Sequence, residues 1–152
     1  MNRQQIEKFI GKIYSSLPVS VRYFTDTSRG SNLGEAWFMS ESKPVIYLNL
    51  SCIRSKLYTR QNNILIKVCL LHELGHIKNR HRGFNSTQEL EAQLFAIRTA
   101  KKLKMSRVHK EAIYWLWSWG ISEWPVFKEA YDLSLKSKEC QKYYKKYGYK
   151  IP

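Results

Sequence analysis

Residues 60–79 read RQNNILIKVCLLHELGHIKN, and the rest of the chain is organised around them. Ile64, Leu65, Ile66, Val68, Leu70, Leu71, Leu74 and Ile77 fall on nearly every side of a helix, which predicts a helix central to the core. Polar side chains on such a helix need a reason to be there. His72 and His76 are one turn apart, about 6 Å along the axis and roughly 40° around it, so both imidazoles reach one ion at Zn–N distances of ~2.0–2.1 Å. Glu73, rotated by about 100° from His72, is badly placed to ligate with both histidines but well placed beside a water on the open side of the ion. The pattern His-Glu-x-x-His therefore assigns His72 and His76 as zinc ligands and Glu73 as the general base for hydrolysis of a peptide bond. The plain alternative is two histidines held at a helix end by the macrodipole, with Glu73 paired to Lys or Arg; the apolar run before them argues against a solvated face.

Upstream, Ile6, Phe9, Ile10, Ile13, Tyr14 and Leu17 recur at helical spacing before Pro18 and predict an amphipathic helix over 2–16. Strands are expected at 19–24, 35–40 and 45–50, with a polar loop over 25–34 and the ESKP turn (41–44) folding the last two into a hairpin. Downstream, Ser86-Thr87-Gln88-Glu89 has the form of a capping box that opens a helix to about Lys104. Two further helices, near 107–119 and 123–137, flank the turn Gly120-Ile121-Ser122 in a helix-turn-helix-like pair, with Trp115, Trp117, Trp119 and Trp124 expected as packing residues. The Tyr-rich basic tail is expected to be frayed or only partly helical. The fold expected is α+β: a core over 1–105 with a small antiparallel sheet packed on the active-site helix, then a C-terminal helical subdomain over 106–152.

A zinc site needs a third protein ligand. A third histidine six residues beyond His76 is missing, because Arg82 holds that position and Asn79 the usual glycine; His81 lies one residue off and reads as a surface loop histidine. The next helix offers Glu89 and Glu91, about 160° apart around its axis, so one of them can face the site. With Glu89 assigned to the cap, Glu91 is the expected ligand; a surface glutamate beside Arg98 and Lys102 is the alternative, and periodicity does not choose between them.

The chain has 152 residues, the size of one domain, and 43% hydrophobic residues, enough for a core. Its formal charge is +14, and 16 of the 26 basic residues lie beyond position 76, a field that attracts nucleic acid or acidic partners without specifying a fold. No stretch is apolar enough to span a membrane, no export signal is evident, and Cys52, Cys69 and Cys140 lack metal or disulfide spacing, so a cytoplasmic protein is expected.

The stretch VCLLHELGHIKNRH followed by ELEAQLFA resembles the ImmA/IrrE family of metallopeptidases, gluzincin-like enzymes of bacteria, phages and other mobile elements. The likeness covers roughly residues 44–137 and is most specific at His72-Glu73-Leu74-Gly75-His76 and at Glu91-Ala92-Gln93-Leu94-Phe95-Ala96, where Gln93 replaces the usual Asn. It implies a zincin-like fold, zinc held by His72, His76 and Glu91, Glu73 as base, and a protein substrate such as a helix-turn-helix repressor. The rival function is DNA binding by the C-terminal helices, with Lys101, Lys102, Lys104 and Arg107 on phosphates and the zinc site structural or inactive. Nucleic acid is then a secondary partner of a peptidase, or the main partner of a regulator.

Overall fold

The computed structural model describes residues 1, 3–13, 15, 19–24, 34–38, 44–49 and 62–151. In chain order its elements are α1 (Arg3–Ile13), β1 (Ser20–Phe24), β2 (Gly34–Phe38), β3 (Pro44–Asn49), α2 (Asn62–Asn79), α3 (Ser86–Lys102), α4 (Ser106–Ser118), a 3-10 turn (Trp119–Ile121), α5 (Pro125–Leu135) and α6 (Lys138–Tyr147). Of the loop expected over 25–34, residues 25–33 lie outside the described residues, as do turn positions 41–43 and Cys52, while Gly34 opens β2.

Among the described residues the architecture is α+β, mostly helical, with one small sheet. Strands β2 and β3 pair antiparallel, with Ala36 opposite Ile46. The sheet as a whole is not antiparallel. Its order is β1-β3-β2, and β1 runs parallel to β3, pairing Val21 with Ile46 and Phe24 with Asn49. Alternation in β1 reports which faces its side chains take but carries no information on which strand it joins or in which direction. The near-continuous burial of β3, through Val45, Ile46, Leu48 and Asn49, is that of a strand paired on both edges and covered on its faces.

Helix α2 is shared between two apolar clusters. Ile66, Cys69, Leu70, Leu74 and Ile77 meet Ile6 and Ile10 of α1 and Val21, Ile46 and Leu48 of the sheet. Val68 and Leu71 turn to the other side, where they join Ala96, Ile97 and Ala100 of α3, Val108, Ala112, Ile113 and Leu116 of α4, Tyr131 of α5, and Cys140, Tyr143 and Tyr144 of α6. Cys69 and Cys140 are both buried, where a thiol behaves as a small hydrophobe.

Helices α2 and α3 touch backbone to backbone. A Cβ built on Gly75 would lie 2.7 Å from the Ala92 Cα and 2.8 Å from its carbonyl oxygen, so glycine is what allows this approach. Helix α2 stops in a Schellman-type turn: Arg80 takes φ 55°, and the His81 amide returns to the His76 carbonyl at 3.0 Å. Helix α3 starts one residue earlier than the capping-box reading puts it. Asn85 is the N-cap, its side chain accepting from the Gln88 amide at 3.0 Å, so Glu89 takes no part in capping.

The tail forms a complete helix rather than a frayed segment. Ser137 caps α6 on the Cys140 amide, Cys140, Tyr143 and Tyr144 bury one stripe, and Gly148 ends it at φ 71° with Tyr149 N–H on the Tyr144 carbonyl. Its periodicity is carried by tyrosines, which bury the ring while leaving the hydroxyl a polar partner; the Tyr144 hydroxyl meets Ser134 Oγ at 2.6 Å. Of the four tryptophans expected to pack, Trp115, Trp117 and Trp119 are partly buried, but Trp124 is 55% exposed.

Candidate metal centre

Two imidazole nitrogens and the two oxygens of one carboxylate converge where α2 crosses α3. His72 Nε2 lies 3.1 Å from His76 Nε2 and 3.2 Å from Glu89 Oε2, and His76 Nε2 lies 3.4 Å from Glu89 Oε1. Two ligands bound tetrahedrally at ~2.05 Å stand about 3.3 Å apart, so these three side chains are spaced as ligands of one small divalent ion would be. Among the described residues they are the group of His, Cys, Asp and Glu side chains that could hold a metal ion.

Hydrogen bonds on the far side of each ring aim the lone pairs inward. The Gln93 amide is oriented by donation from its Nε2 to the Ala112 carbonyl at 2.6 Å, which leaves its Oε1 to accept from His72 Nδ1 at 2.8 Å. With Nδ1 carrying hydrogen, a neutral His72 presents a lone pair at Nε2. The second ring is set by a longer chain: Glu91 Oε2 accepts from His81 Nε2 at 2.9 Å, so His81 Nδ1 is free to accept from His76 Nδ1 at 3.0 Å. Both imidazoles thus turn Nε2 towards the carboxylate, and acceptor atoms this close repel one another unless a cation or a proton lies among them.

The electrostatics agree. Burial opposes charge on His72, but the Glu89 hydrogen bond, with the fields of Glu73 and Glu89 and the Gln93 contact, outweighs it and raises the pKa of that ring. For His76 burial prevails and the pKa falls. Burial of Glu89 is likewise overcome by its bonds to both histidines, which hold its carboxyl down at about 2. In the metal-free centre the ionised Glu89 carboxylate favours a proton on His72, which a divalent ion would replace.

The structure brings together His72, His76 and Glu73 on one helix but does not bring Glu91 to them as a ligand. Glu91 is 53% exposed and ends on His81, whose own side chain is 6% exposed and therefore not the surface loop residue that its spacing suggested. Glu89 takes the inward place. Residues 89 and 91 do point to opposite sides of α3, but freeing Glu89 from the cap reverses which one faces α2. Glu73 is buried beside His72, near enough for its field to raise that ring's pKa. His72 and His76 keep 10% and 12% of their side-chain surface exposed among the described residues.

Neither a family model, nor a curated protein, nor a solved structure matches this chain. The geometry therefore stands on its own residues. Three of these were not singled out as site residues from the sequence: Glu89, Gln93 and Trp119, whose indole meets the His72 ring edge to face at 6.0 Å. Lys101, Lys102, Lys104 and Arg107 are all exposed around the α3–α4 turn, away from this centre in sequence and on the other end of α3. No helix among the described residues is long and apolar enough to cross a membrane.

Proposed function

We propose that the chain is a zinc-dependent peptidase acting on a protein substrate, with His72, His76 and Glu89 as the metal ligands and Glu73 as the general base. The observation that supports this most is the convergence of His72 Nε2, His76 Nε2 and the Glu89 carboxylate at 3.1 to 3.4 Å, with the Nδ1 of each ring hydrogen-bonded on its far side. The resemblance of residues 44–137 to ImmA/IrrE peptidases, and the zincin-like fold it implies, belong to the same proposal, with the ligand glutamate moved from Glu91 to Glu89.

A zinc ion in this place supplies Lewis acidity to the scissile carbonyl and makes a nearby water a stronger acid. Glu73 follows His72 directly on α2, turned about 100° from it, and would lie beside a water activated at the centre. There it takes the proton of the attacking water and returns it to the departing amine. Gln93 and the His81–Glu91 pair hold the ligand rings in orientation and keep Nε2 unprotonated once the ion is bound. Trp119 walls one side of His72 against water.

Glu73→Gln should retain about one zinc per chain and lose hydrolysis, first assayed on unfolded casein. A Glu73→Gln protein that still cleaves would rule out this carboxylate as the base. The exposed cations near the α3–α4 turn favour nucleic acid as an accessory partner; if that were the main function, Glu73→Gln would be silent and binding would fall steeply with salt.

A further inference from the structure

A file of aromatic rings leads from the metal centre to the surface. Trp119 lies edge to face on His72, Phe127 is 4.9 Å from Trp119 between centroids, and Phe84 is 5.8 Å from Phe127 and 60% exposed. The rings come from three places: the loop after α2, the 3-10 turn and the first turn of α5. The turn lies close on α5: a Cβ on Gly120 would come within 2.8 Å of the Tyr131 ring, so glycine suits this approach. Core packing does not explain why the outer end of this file is left in water.

We propose that Trp119, Phe127 and Phe84 form an apolar subsite that seats an aromatic or large aliphatic side chain of the peptide substrate, next to the scissile bond. This rests on the peptidase reading of the same centre. A residue adjoining a carbonyl held at the ion has its Cα within about 4 Å of the reacting carbon, so its side chain reaches the rings nearest His72. Edge-to-face and offset contacts along the file suit an incoming ring, and the file carries no charge to desolvate. A second copy of the chain is the poorer occupant: a stable dimer covers roughly 800 Å² on each partner, far more than three rings supply.

Two zinc-directed probes separate this subsite from the metal. Acetohydroxamate grips an open zinc position and little else, whereas 3-phenylpropionohydroxamate adds a ring. Titrated into the zinc-loaded full chain, the phenyl compound should bind at least about tenfold more tightly, the effect of burying one phenyl group. Phe84→Ser, at an exposed position, and Phe127→Ala should each lose most of that gain and leave acetohydroxamate affinity unchanged. If acetohydroxamate binds and the phenyl compound binds no better, or keeps its advantage in both variants, the subsite is refuted and the metal centre stands. If neither compound binds a zinc-loaded chain, or the chain takes up no zinc, the peptidase reading fails and the subsite with it.

Discussion

Gly75→Ala tests whether the closeness of α2 and α3 makes the metal site. A new Cβ would sit 2.7 Å from the Ala92 Cα, whereas ordinary carbon contacts begin near 3.4 Å, so the helices must part by about 0.7 Å or tilt by an equivalent amount. Both neighbours are backbone and cannot rotate away. Glu89 is on the far helix, so its distances to His72 and His76, now 3.2 and 3.4 Å, open towards about 4 Å. Metal sites tolerate errors of roughly ±0.2 Å, and zinc affinity should fall by about 100-fold or more. For stability two effects compete: alanine gains about 1 kcal/mol over glycine within a helix, and overpacking costs about 1–3 kcal/mol. Overpacking should win, for a net loss of about 1 kcal/mol, small enough for the chain to stay folded. Competition with a fluorescent chelator reads the zinc affinity, and urea unfolding of the metal-free chain reads stability. Zinc affinity within threefold of wild type would show that the backbone contact does not position the third ligand.

Glu89→Gln and Glu91→Gln should differ sharply in the same chelator assay: the first loses a charged ligand and binds zinc at least about 1,000-fold more weakly, while the second frees His76 to rotate and costs about 10- to 100-fold. Equal losses, or the reverse order, would return Glu91 to the first rank. Zinc should displace the proton that Glu89 holds on His72, so affinity rises with pH and levels off above the raised His72 pKa; Glu89, at about 2, adds no proton near neutrality. Calorimetry in buffers of different ionisation heat should register that release near pH 6, and buffer-independent heats there would contradict it. His109 should make the metal-free chain acid-sensitive. Its pKa is lowered by burial and by Lys146 and Lys101, so the unfolded chain binds the proton first, and stability present above pH 6.5 is lost as pH falls towards the folded value. His109→Gln should show a shallower decline in urea midpoint from pH 7.5 to 5.5; a parallel decline would exclude His109 as the cause.

The sequence carried α2 almost completely, because burial on all sides leaves a polar residue no place except a functional one. It carried the opposition of Glu89 and Glu91 but not its sense. Asn85, Ser86 and Thr87 can each cap a helix, and choosing Ser86 over Asn85 gave Glu89 a false occupation. A better signal was present: Glu89 is in phase with Ala92, Gln93, Ala96, Ile97 and Ala100, the buried stripe of α3, and Glu91 is not. The role of His81 was not readable from spacing, because it depends on Arg80 entering the left-handed region, a conformation that non-glycine residues take rarely. The parallel partner of β1 was hidden for a similar reason, since a strand's alternation is the same whichever neighbour it has.

The acceptor that fixes the Gln93 amide is a main-chain carbonyl of α4, and the indole beside His72 belongs to the turn after it. A chain cut after residue 105 would therefore lose more than an appended helical module: Gln93 could flip its amide and the His72 ring could change tautomer. Recombination at that boundary would preserve the motif in the gene while leaving the imidazole free to present a hydrogen where a lone pair is required.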